Sequence, residues 1–143
     1  MKEFRRNIWK DEEYDYPAAY GFIPNIHAYL HDDDEKRDCM IVLPGGGYCM
    51  VVPPEGIIPA MEFYNRGMNV FVLTYTTDIT FSIPLKRQPL KDAARAVRFI
   101  FADFLQERMS AEVWRFTMVM SKIPTKNIKI FPQDLMELSF HTR

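Results

Sequence analysis

The sequence predicts an α/β domain, a mostly parallel sheet flanked by helices. Three observations carry that expectation. Cys39 to Leu43 and Asn69 to Tyr75 are short runs that are apolar on both faces, as strands are when helices cover both sides of a sheet. Between them a helical pattern runs from about Ile57 to Arg66 and stops at Gly67, where a glycine can take the left-handed turn that ends a helix. A second helix is predicted from Pro89 to Glu107, with Leu90, Ala93, Ala94, Val97, Ile100, Phe101, Phe104 and Leu105 forming its apolar stripe. A strand, helix and strand in this order form a right-handed crossover with parallel strands.

The remaining elements follow from local pattern. Phe4 to Trp9 and Asn25 to Leu30 read as strands, and the second alternates, with Ile26, Ala28 and Leu30 on one face and His27 and Tyr29 on the other. His31 to Asp38 is a charged turn, and Thr76 to Gln88 is a polar loop. Lys91, Arg95 and Arg98 form a basic, solvated face on the second helix. Val113 to Met120 and Ile128 to Phe131 read as strands, and Pro124 and Pro132 interrupt any longer element.

The bulk numbers exclude several function classes. A chain of 143 residues makes one domain at most, and with 48% hydrophobic and 26% charged residues it is too apolar for disorder. A net charge of −1 gives no electrostatic case for nucleic acid or an anionic membrane. No apolar run approaches the ~20 residues of a membrane helix. The stretch from Met1 to Trp9 has no apolar core of a signal peptide. Cys39 and Cys49 make no disulfide framework. A cytoplasmic protein with reduced thiols and no cofactor is therefore expected.

The feature with chemistry in it is Gly45-Gly46-Gly47-Tyr48, directly after the apolar strand and Pro44. Adjacent glycines let a backbone turn sharply and present its N–H groups to a ligand, because no Cβ intervenes. A tight turn with no ligand is the plainer reading of the same residues. Cys49 follows the loop, but a thiolate nucleophile needs a nearby base or cation, so a packing role is expected. His27 and His31 with Asp32, Asp33 and Asp34 have the composition of a metal cluster. Residues four apart on a strand, however, lie about 13 Å apart, so a solvated turn and no metal are expected there.

Three ordered segments resemble the N-terminal half of the α/β-hydrolase esterases, especially the acetyl-esterase and feruloyl-esterase-like branch. They are Leu43 to Tyr48, Ala60 to Val70 followed by Tyr75, and Pro89 to Ile100. Pro44 stands where many relatives carry His. The resemblance implies a carboxylic-ester hydrolase that works through an acyl-enzyme on a small-molecule ester such as an acylated sugar. It implies that the Gly46 and Gly47 amides are oxyanion donors, with Gly45 and Tyr48 shaping the pocket.

The sequence departs from that pattern beyond the second helix. A nucleophile elbow needs glycines beside a serine, and no glycine follows Gly67. Average usage of about 7% would place about five there. Ser110, Ser121 and Ser139 all lack glycine neighbours, and His141 matches nothing in the family pattern. No catalytic residue is identified. Residues 1–107 are thus expected to be the N-terminal half of an α/β-hydrolase domain, and residues 108–143 a divergent tail of a truncated or frame-shifted relative, with a genuine small variant carrying a rewritten C-terminus as the alternative. An inactive chain of esterase descent is the expected function. The alternatives are an interaction or oligomerising module and a small-molecule binding module. Without the elbow strand, the sheet edge beside the glycine strand would be unpaired, a template for self-association. The tail strand Val113 to Met120 could fill the gap, at the desolvation cost of bringing Arg115 into an apolar region.

Overall fold

The computed structural model describes residues 1–105 and 118–120. Among them, five strands form one sheet: β1 (Lys2–Asn7), β2 (Asn25–Leu30), β3 (Cys39–Leu43), β4 (Asn69–Thr74) and β5 (Met118–Met120), in the order β1-β2-β4-β3-β5. Two helices flank it, α1 (Pro53–Asn65) and α2 (Gln88–Ile100). A π-helical turn, Phe101–Leu105, extends α2. The sheet is mixed: β2 runs antiparallel to β1 and β4, while β3 runs parallel to β4 and β5.

Period-two side-chain alternation sorts the core into two layers. On one face Ile26, Ala28, Ile41, Phe71 and Leu73 pack with Ala96 and Ile100 of α2. On the other, Tyr29, Met40, Val42, Val70 and Val72 pack with Ala60 of α1. Helices on both faces explain why β3 and β4 carry unbroken apolar runs. Phe104, in the turn after α2, stacks on Phe4 of β1 at 5.2 Å between ring centroids.

Several expectations are corrected in detail. Helix α1 starts at Pro53, four residues before Ile57, because proline is tolerated in a first turn where the N–H has no partner anyway. Its buried contact is made by Gly56 and Ala60, whereas Ile57 and Ile58 are exposed. A Cβ on Gly56 would come within 2.8 Å of Pro44 Cγ and Val72 Cγ1, so the missing side chain sets how closely α1 approaches the sheet. Leu90 is exposed rather than part of the α2 stripe. Arg95 is not simply solvated: it donates to Ile8 O at 2.8 Å and lies over the Trp9 ring. Gly67 holds φ +88° after α1, as expected of a helix-ending glycine.

The edge of β3 is paired, not open. Ile41, Val42 and Leu43 register with Met118, Val119 and Met120. The strand expected over Val113 to Met120 is present only at those three residues among the described ones. Residues 113–117, the strand expected at Ile128 to Phe131, Ser110, Ser121, Ser139 and His141 lie outside the described residues.

Candidate functional site

The glycine loop leaves β3 at its C-terminal end and folds back on its own carbonyls. Gly45 O accepts from Val52 N at 3.0 Å. Gly46 O accepts from Cys49 N at 3.2 Å, Met50 N at 3.3 Å and Cys49 Sγ at 2.9 Å. The Gly45 amide donates to Glu55 Oε2 at 3.1 Å, which ties the loop to the first turn of α1. With the carbonyls so used, the amides of Gly46 and Gly47 donate to no acceptor among the described residues. Gly46 has φ +146° and Gly47 φ +63°. Consecutive backbone N–H groups in such a turn make a concavity suited to an anion.

Two tyrosines brace this loop. Tyr75, just past β4, donates its hydroxyl to Pro44 O at 2.6 Å and is itself buried. Burial raises its pKa, so it stays a neutral donor. Tyr48 has φ +62°, is exposed, and meets Tyr75 edge-on at 6.2 Å.

The loop after β4 docks on the glycine loop through one backbone bond, from Asp78 N to Tyr48 O at 3.0 Å. The Asp78 carboxylate accepts from Thr80 Oγ1 at 2.5 Å, Thr80 N at 2.9 Å and Ile83 N at 2.8 Å. The Thr80 hydroxyl, then the Ile83 amide, hold its carboxyl below the usual range. The loop read as polar thus buries two of its polar side chains, Thr76 and Asp78.

The predicted site residues Gly45, Gly46, Gly47 and Tyr48 therefore form one loop at one end of the sheet. The other candidates part company. His27 Nε2 lies 2.6 Å from Glu3 Oε1, and its Nδ1 lies 3.1 Å from Tyr29 OH. His31 stacks on Tyr64 at 4.1 Å. The two histidines take different partners, and Asp33 is clasped by Arg37. Cys49 donates to Gly46 O rather than to a base.

One group escaped sequence reading. Asp92 of α2 is fully buried and accepts from Trp9 Nε1 and Gln88 Nε2 at 3.0 Å, from Thr76 N at 2.9 Å and from Thr76 Oγ1 at 2.5 Å. Tyr14 OH bonds the same Thr76 hydroxyl. The signal available in sequence was an acid one turn after Gln88, on the line along the helix that continues through Ala96 and Ile100.

No family model matches this sequence. A stretch of 100 residues, 70% of the chain, is 69% identical to endo-1,4-beta-xylanase B of Butyrivibrio fibrisolvens, and spans 16% of that protein. Among solved structures, an acetyl ester-xyloside bifunctional hydrolase from Caldicellulosiruptor lactoaceticus aligns over 82% of this chain and 42% of its own, with 25% identity and a TM-score of 0.67. An α/β-hydrolase enzyme from a deep-sea metagenome library aligns over 82% and 45%, with 20% identity and a TM-score of 0.64. A carboxylesterase from Lactobacillus plantarum aligns over 84% and 42%, with 19% identity and a TM-score of 0.62. The chain spans less than half the length of these solved structures and about one sixth of the xylanase.

Proposed function

Given that this chain carries the fold of the α/β-hydrolase esterases over its described residues, we propose that it supplies the oxyanion-binding half of a carboxylic-ester hydrolase site. Its substrate class in this reading is a small acylated sugar. The observation that carries the reading is that the Gly46 and Gly47 amides meet no acceptor among the described residues, while the loop's carbonyls and the Gly45 amide hold it at the C-terminal end of β3. Attack on an ester carbonyl develops negative charge on its oxygen. Preorganised amides that need no rearrangement stabilise that charge, each contributing about 2.7–4 kcal/mol in comparable sites. Tyr75 supports the loop from below through Pro44 O.

The nucleophile and its base are not assigned to residues of this chain, because no serine has the glycine neighbours of an elbow and His141 fits no triad pattern. The chain alone is therefore expected to be catalytically silent. The wider site would bring the serine to the face of Gly46 and Gly47, as in the acyl-transfer chemistry of the family. A substrate of the acetylated xylo-sugar class is favoured by two proteins it resembles, one a xylanase and one an acetyl ester-xyloside hydrolase.

The test has two arms. Incubation with p-nitrophenyl acetate and a fluorophosphonate probe should give neither turnover nor labelling. Turnover abolished by Ser110→Ala or Ser121→Ala would overturn the assignment of an incomplete site. Amide hydrogen exchange should show Gly46 and Gly47 unprotected, and strong protection of both would overturn their role as donors.

A further inference from the structure

Among the described residues four that are not glycine hold a positive φ: Tyr20 at +48°, Tyr48 at +62°, Phe81 at +54° and Lys86 at +51°. L side chains rarely adopt this backbone. Three of the four are aromatic, and all three are exposed, at 68%, 51% and 77%. Burial of these rings does not offset the strain, since they face solvent. Strain of this kind gathers at functional sites, ligand clamps among them.

The loops that bear these three residues share one end of the sheet with the glycine loop. Asn25 registers with Thr74, so the chain entering β2 lies beside the chain leaving β4. Tyr20 OH reaches Thr80 Oγ1 and Ser82 Oγ, both at 3.4 Å. Those two hydroxyls lie 2.6 Å apart, and Thr80 is anchored on Asp78. Phe81 stands between them in sequence, in a turn closed by its own N–H on Asp78 O at 3.3 Å. Asp78 N in turn holds Tyr48 O.

We propose that Tyr20, Tyr48 and Phe81, with the hydroxyls of Thr80 and Ser82, form a binding platform for the pyranose rings of a xylo-oligosaccharide. The proposal deepens the ester reading above and rests on it, since it takes the glycine-loop end as the substrate end. A pyranose presents C–H faces and a rim of hydroxyls. The faces suit the negative face of an aromatic ring. The rim suits Ser, Thr and Tyr hydroxyls, each of which both donates and accepts. An aromatic platform bordered by three hydroxyls fits such a ligand better than a plain hydrocarbon chain, which leaves the hydroxyls unmet.

Titration of the full chain with xylotetraose, followed by two-dimensional amide NMR, tests this. Shifts should centre on residues 20, 48 and 78–83. Tyr20→Ala and Phe81→Ala should each weaken binding by about 3- to 10-fold. Phe81→Gly separates binding from stability: glycine relieves the left-handed backbone, so the melting temperature should rise while xylotetraose affinity falls. Unchanged affinity in these variants would overturn the platform, as would methyl ferulate binding at these residues where xylotetraose does not. Xylotetraose binding that Phe81→Gly weakens, in a chain whose Gly46 and Gly47 amides are protected, would sustain the platform and sink the oxyanion reading. Unprotected glycine amides with no xylotetraose binding would do the reverse.

Discussion

Trp9 and Asp92 stand 83 residues apart and are joined by a 3.0 Å hydrogen bond from the indole Nε1 to the carboxylate. That bond closes the N-terminal strand onto α2 and leaves the carboxylate with a full set of donors in a buried site. Arg95, one turn further along α2, lies 5.1 Å from the Trp9 ring and reaches Ile8 O. The N-terminal segment is thus fastened to α2 by a polar clamp as well as by apolar packing.

Asp92→Ala should be among the most damaging single changes. It leaves the buried Thr76 amide and hydroxyl without their carboxylate acceptor, each unsatisfied buried donor costing about 1–3 kcal/mol, and it also removes the acceptor of the half-buried Trp9 indole and Gln88 amide group. A loss of about 3 kcal/mol or more is expected in urea unfolding, a large share of the 5–15 kcal/mol of a typical domain. Trp9→Phe removes one donor and keeps the others, so its loss should be smaller. Equal effects from the two variants would contradict the clamp.

The strand pattern was legible because both faces of β3 and β4 are apolar, and only a doubly covered sheet asks for that. The helix faces were harder. A periodic stripe names the apolar positions but not the contact that decides packing. In α1 that contact is Gly56, whose value lies in having no side chain. In α2 it includes Asp92, which a hydropathy stripe assigns to solvent. The tight turn at the glycine loop was legible from composition, because three adjacent glycines after a strand let the backbone take positive φ, as Gly46 and Gly47 do. The aromatic residues at positive φ were not, since nothing in Tyr20 or Phe81 announces a left-handed backbone. Sequence argues against the tail strand as the partner of β3, because Arg115 would enter an apolar region, whereas a ladder needs only backbone groups and the pairing falls on Met118, Val119 and Met120.

Gly56→Ala should destabilise, although alanine favours a helix over glycine by about 1 kcal/mol. The added Cβ would sit 2.8 Å from both Pro44 Cγ and Val72 Cγ1, and neither is the end of a long flexible chain. Overpacking of this kind costs about 1–3 kcal/mol. A variant more stable than the parent in chemical unfolding would show that α1 can lift off the sheet freely.

Burial, and then the nearby Asp38 carboxylate, push the Cys39 thiol up to about 12. Tyr14 is pushed up to about 12 as well, mainly by burial. An unfolded thiol ionises near pH 8.5, so above that pH the unfolded chain binds fewer protons than the folded one. Stability present below about pH 8.5 should therefore fall as pH rises toward 12. Unfolding free energies measured from pH 8 to 11 should decline, and less steeply in Cys39→Ala. At pH 8, iodoacetamide should modify Cys49 alone in the native chain and both thiols after unfolding. Rapid native modification of Cys39 would contradict its burial.

Gly46 and Gly47 should answer differently to the same substitution. A Cβ on Gly47 meets nothing within 4 Å, so Gly47→Ala carries only the left-handed backbone cost of about 1–2 kcal/mol. A Cβ on Gly46 would lie 2.1 Å from Met50 O, which is backbone and cannot swing aside. Gly46→Ala must therefore shift the loop and weaken the bonds that Gly46 O accepts from Cys49 and Met50, each contributing about 1 kcal/mol. The expected order in urea unfolding is parent, then Gly47→Ala, then Gly46→Ala, with the last at least about 1 kcal/mol below the middle one. Amide exchange at Met50 should quicken only in Gly46→Ala. The reverse order would mean that the loop is held by something other than the close approach of Gly46 to Met50.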